Sequence, residues 1–154
     1  MKVYKIKNKI LVPTDIISCW EFFSNPLNLE KLTPGKMFLK IDLNEPKAIY
    51  PGMLINYIIK PFMNVRFNWV TEITALQQNK YFIDEQRFGP YKFWHHQHIF
   101  KPVSTGVEII DEVNYILPFG ILGRFLHPFL VKSKLEEIFN YRNDQIEKIF
   151  NYGK

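Results

Sequence analysis

Cysteine is almost absent: Cys19 stands alone among 154 residues. A single thiol excludes an intramolecular disulfide and any cysteine-cluster metal centre, and it fits a reducing, cytoplasmic setting. Glycine is sparse too, with seven scattered residues. There is therefore no Gly-rich phosphate loop, and no nucleotide cofactor is expected. A Gly-x-Ser-x-Gly nucleophile motif is also missing. No apolar run reaches the ~18 residues of a membrane span. The nearest stretch, Tyr115 to Val131, is broken by Pro118, Gly120, Gly123, Arg124, His127 and Pro128. The opening MKVYKIKNKI alternates and is charged, unlike a signal peptide. Net charge is +5, but lysine and arginine are dispersed, so nucleic acid is not an expected partner.

What the chain does have is apolar and aromatic bulk. Hydrophobic residues make up 47%, with 14 Phe and 8 Tyr. That is enough for one sizeable core, and the expectation is a single domain over residues 1–154. Val3 to Val12 alternates with period two, placing Tyr4, Ile6, Ile10 and Val12 on one face and lysines on the other. Thr14 or Asp15 can then cap a helix bearing Ile16, Ile17, Cys19, Trp20 and Phe23. Asn25-Pro26 starts a second short helix through Leu27, Leu29 and Leu32. From Met37 the period becomes two. Strands are predicted at 37–43, 53–60, 65–76, 80–88, 91–101 and 107–117, joined mostly by short turns. Such joints force antiparallel neighbours.

The last segment, Phe119 to Phe150, reads as helix, with a kink or restart at Pro128. Leu135, Ile138, Phe139, Arg142, Ile146, Ile149 and Phe150 recur at steps of three and four, one apolar stripe. A helix with so broad an apolar face needs a broad partner. The predicted class is therefore α+β: a seven-stranded curved antiparallel sheet around a long C-terminal helix, with two short helices after strand 1.

Four passages carry a family resemblance: Asn25-Pro26-Leu27-Asn28-Leu29 with Leu32-Thr33-Pro34; Phe88-Gly89-Pro90-Tyr91; Trp94-x-His96-x-His98-x-Phe100; and Asp111-x-Val113-x-Tyr115-x-Leu117-Pro118-Phe119-Gly120. With the element order, they resemble the helix-grip fold of START-like lipid-transfer domains, the major birch-pollen allergen and polyketide cyclases. Within that superfamily the chain is most similar to an uncharacterised bacterial branch of ligand-binding SRPBCC proteins. The resemblance implies a cavity between sheet and long helix that holds a lipophilic small molecule. It supplies no catalytic residue set.

Strand alternation gives the candidate site. With Trp94, His96, His98 and Phe100 turned inward, and with a two-residue turn at Gly89-Pro90, Glu85 faces Trp94 and Tyr81 faces His98. If Phe100 stands opposite Val107, Asp111 lies near His96. Trp69, Tyr81, Glu85, Trp94, His96, His98, Asp111, Tyr115, Phe125, Phe139 and Arg142 are then expected to line a pocket of roughly 300 Å³ or more. Apolar loop residues Phe62, Met63, Phe119, Ile121 and Leu122 gather at one end. They either cover the core at that end, or rim a cavity mouth or a surface for transient membrane or protein contact.

Three roles fit the histidines: a self-satisfied network between strands, contact with a ligand's polar group, or acid–base chemistry by His96 oriented by Asp111. The last would make the chain a cyclase, aromatase or dehydratase. A third functional class is a ligand-free interaction module. No metal is expected, because His96 and His98 lack an evident third ligand. Arg142 reads either as a snorkelling side chain or as a contact for an anionic ligand.

Overall fold

The computed structural model describes residues 2–42, 48–62, 65–118, 120 and 131–151. Strand β1 (Tyr4–Val12) leads into helix α1 (Ile16–Phe23). Asp15 caps that helix, its carboxylate accepting from the Ile17 and Ser18 amides at 2.9 Å each. Asn25 does the same for the turn before α2 (Asn28–Lys31), accepting from Leu27 N at 3.1 Å. Then come β2 (Lys40–Ile41), β3 (Leu54–Phe62), β4 (Val65–Gln77), β5 (Tyr81–Phe88), β6 (Phe93–Val103), β7 (Gly106–Ile116) and α3 (Ser133–Asn151). The strands form one antiparallel sheet ordered β1-β7-β6-β5-β4-β3-β2, curved around α3. Among the described residues no helix is long and apolar enough to cross a membrane.

One strand departs from expectation. Residues 37–43 were predicted extended, yet Gly35–Met37 form a single 3-10 turn and Phe38 is left-handed at φ 42°. An L-residue in that conformation breaks a strand. Among the described residues of that run only Lys40 and Ile41 form ladder pairs with β3, and Asp42 N adds one bond to Asn56 O at 2.9 Å. The predicted helical run from Phe119 up to Leu130 lies, apart from Gly120, outside the described residues.

The core is two apolar clusters. Trp20, Ile73, Phe82, Phe100, Ile109 and Ile146 belong to one. Trp69, Trp94, Val113, Tyr115, Leu135 and Phe139 belong to the other. On β4, β6, β7 and α3 a polar residue interrupts the inward face between the two: Thr71, His96 with His98, Asp111, and Arg142. Asn8 interrupts β1 likewise, and its Nδ2 donates to Asn143 Oδ1 on α3 at 3.1 Å. The sheet and helix thus enclose a polar belt between two greasy layers.

The helix stripe is narrower than the sequence pattern. Leu135, Phe139, Arg142 and Ile146 are buried, whereas Ile149 is 40% exposed. Ile146→Ala should therefore cost about 2–5 kcal/mol in urea unfolding. Ile149→Ala should stay within about 0.5 kcal/mol of the parent.

Candidate functional site

The belt is assembled by strand register. The β5–β6 joint spans residues 89–92, because Gln86 folds back into it. Gln86 Nε2 donates to Tyr91 O at 2.7 Å, and Tyr91 N donates to Gln86 Oε1 at 3.2 Å. A two-residue turn was expected, and the longer one shifts the ladder by one residue. A shift of one exchanges the two faces of a strand. Asp84 consequently stands opposite His96, and Phe82 opposite His98. Tyr81 and Glu85 fall on the outer face, against expectation, and Glu85 pairs there with Arg87 at 3.3 Å. On the next hairpin Phe100 faces Ile109 rather than Val107, a displacement of two that keeps the face. Asp111 lies opposite His98 and diagonal to His96.

Two carboxylates and two imidazoles meet there. His96 Nε2 donates to Asp111 Oδ1 at 3.2 Å, and His98 Nε2 donates to Asp84 Oδ2 at 3.0 Å. Each ring also turns its second nitrogen towards the other carboxylate. His96 Nδ1 is 3.3 Å from Asp84 Oδ2, and His98 Nδ1 is 2.7 Å from Asp111 Oδ1. The last contact lies off the line of a hydrogen bond, so His98 Nδ1 is buried without a hydrogen-bond partner among the described residues. The imidazole centroids are 3.8 Å apart. Phe82 stacks on His98 at 4.1 Å, and Phe139 meets His96 edge-on at 6.3 Å.

Burial is deep, with Asp111 2% and His96 5% exposed. For His96, burial opposes the charge. Asp84 beside it and the bonds to both carboxylates outweigh that, so its pKa is pushed up to about 9. Burial likewise opposes charge on Asp84 and Asp111. The histidines beside them hold both carboxyls well below the usual range. Arg142 Nη1 lies 3.8 Å from Asp111 Oδ2, and its guanidinium sits 5.4 Å from the Phe139 ring centre. Arg142 is only 8% exposed, so it does not snorkel. Its positive charge and that of His96 balance the two aspartates.

In front of this cluster is a cavity of about 180 Å³ between sheet, α1–α2 and α3. It is smaller than the roughly 300 Å³ expected of a drug-sized pocket. Trp69, Trp94, His96, His98, Phe139 and Arg142 line it, and so does Asp84. Asp111 lies behind the histidines, and Tyr115 packs behind Trp94 and Tyr91; neither lines the cavity. Phe125, Met63, Phe119, Ile121 and Leu122 lie outside the described residues, as does the side chain of Phe62.

The sequence reading missed Asp84, Tyr57, Thr71 and Tyr91. One signal pointed to Asp84: Glu85 and Arg87 alternate as a wet face would, which leaves Phe82 and Asp84 inward. Asp84 also supplies the third metal-type ligand that the sequence reading lacked. Cys19 is a packing residue, its thiol pushed up to about 12 by burial.

Linkage gives the pH response of the metal-free protein. Below 6.5, His96 is protonated in both folded and unfolded chains; between 6.5 and about 9 only the folded chain holds the proton. Stability should therefore fall as pH rises through that window, by a total on the order of 3 kcal/mol. It should fall again in acid, below the ordinary 3.8 of the aspartates. Urea melts at pH 6, 7.5 and 9 with chelator present check this, and His96→Gln should remove most of the alkaline slope.

No family model and no curated protein matches the chain. Solved structures do. TTHA0849 from Thermus thermophilus is 14% identical with a TM-score of 0.67, over 95% of this chain and 99% of that one. Ara h 8.0201 is 14% identical with a TM-score of 0.65, over 96% and 99%. CV1439 from Chromobacterium violaceum is 13% identical with a TM-score of 0.71, over 96% and 97%. At such identities the likeness is one of fold, and the fold is helix-grip-like: a curved sheet wrapped around a C-terminal helix.

Proposed function

We propose that the chain is an SRPBCC-type binding protein for a small lipophilic molecule that carries one acceptor or anionic group. The observation that carries this is a pair of unmatched donors on a mainly apolar wall. Trp69 Nε1 and Arg142 Nε are buried without a hydrogen-bond partner among the described residues, and both side chains line the cavity. An unpaired buried donor costs about 1–3 kcal/mol, which a ligand oxygen would recover. The apolar walls hold the body of the ligand, and Arg142 with Trp69 holds its polar end.

Volume narrows the ligand class. A dry apolar cavity of about 150 Å³ takes benzene, and this one measures about 180 Å³. A single aromatic ring or a short branched chain suits it better than a sterol or a long acyl chain. The enzymatic alternative needs His96 as a base with a free lone pair. Its two nitrogens face two carboxylates, and at neutral pH it is an imidazolium. A ligand-free interaction module would leave the internal cavity without a role.

Native mass spectrometry of freshly purified protein should show an adduct of low mass. Titration with benzoate and with toluene, followed by quenching of Trp69 and Trp94, should give saturable binding of both. Arg142→Gln should weaken benzoate about tenfold, a loss near 1.4 kcal/mol, and leave toluene little changed. No saturable binding of either probe would remove the proposal.

A further inference from the structure

We infer that Asp84, His96 and His98 form a binding site for one divalent transition-metal ion of the zinc class, facing the cavity. Their ligand atoms all lie within 4.8 Å of one another. Asp84 Oδ2 is 3.3 Å from His96 Nδ1 and 3.0 Å from His98 Nε2. Ligands held at ~2.0–2.2 Å around a tetrahedral ion stand about 3.3–3.6 Å apart. The two edges that meet at Asp84 are thus close to those of such a tetrahedron, and the ligand atoms of the two rings lie within 4.8 Å, near enough to close on an ion. Two imidazole nitrogens and one carboxylate oxygen suit zinc and its neighbours, not magnesium or calcium.

Half of the second shell is already in place. A metal-bound histidine normally donates its other ring N–H to a carboxylate. Here Asp111 Oδ1 accepts from His96 Nε2 at 3.2 Å and lies 2.7 Å from His98 Nδ1, off the line of a hydrogen bond, so a small turn of that ring would let one carboxylate serve both. With Nε2 of His98 on the ion, the ring's proton sits on Nδ1. That is the buried nitrogen without a hydrogen-bond partner among the described residues. The ion would replace the protons that lie between each ring and Asp84.

Placement leaves a coordination position open. Asp84, His96 and His98 line the cavity while Asp111 does not, so the fourth position of the ion looks into it. A ligand carboxylate, a hydroxyl or a water fits there. The inference does not depend on the lipophile reading, because the ion is held by protein side chains alone.

Zinc titration of chelator-stripped protein, without organic ligand, tests it. One Zn²⁺ per chain should bind, raise the melting temperature and shift the imidazole NMR signals of His96 and His98. His95, on the outer face, should not move. Co²⁺ should give the strong visible bands of a tetrahedral site. Asp84→Asn and His98→Gln, each checked for fold by circular dichroism, should lose stoichiometric binding. Asp111→Asn should weaken binding about 10–100-fold. Absence of saturable Zn²⁺ binding by the wild-type chain would overturn the site. So would wild-type affinity in folded Asp84→Asn, or imidazole shifts confined to His95. The wild-type measurements decide the matter even where a variant fails to fold.

Discussion

The structure turns on an exchange of hydrogen bonds and charge between Asp84, His96, His98 and Asp111. Those residues come from β5, β6 and β7, so the cluster joins three strands at their centre. Four ionisable groups in an apolar core would each be costly alone. Together with Arg142 from α3 they neutralise one another, and the helix is drawn against the sheet by charge as well as by packing. The polar belt also divides the core. Phe82 and Phe100 lie on one side, Trp94 and Phe139 on the other, and the cavity opens beside the division. Breaking such a network by removing one member is strongly destabilising, because a buried charge is left unmatched.

The same arrangement supports the proposed reading of recognition over proton transfer. A general base works with a lone pair and a pKa near the working pH. His96 has its nitrogens turned to carboxylates and holds its proton well above neutrality. It can present positive charge to a ligand, or exchange its proton for a metal ion, more readily than it can cycle. Arg142 adds a second fixed positive charge beside the aromatic wall. In the proposed reading the donors of Trp69 and Arg142, unmatched among the described residues, are where a polar ligand atom would sit.

Much of the fold was legible because period-two alternation and a helical stripe are each set by one buried face. The face of β6 was legible for the same reason: Trp94 and Phe100 bracket the histidines. The partner across β5 was not, because the ladder there is set by how Gln86 widens the joint at residues 89–92. That contact has no local sequence pattern, and one residue of slip exchanged Glu85 for Asp84. Asp111 survived a similar error because its ladder slipped by two, which keeps the face. Phe38 broke the second strand through a left-handed backbone that no residue type there announces.

The central claim is that Asp84 and Asp111, on non-adjacent strands, act as one unit through the two histidines. A double-mutant cycle with Asp84→Asn, Asp111→Asn and the pair, scored by urea unfolding at neutral pH with chelator present, tests it most directly. The account predicts a coupling energy of about 1 kcal/mol or more between them. Effects that add to within about 0.3–0.5 kcal/mol would contradict it, and would reduce the cluster to two separate ion pairs.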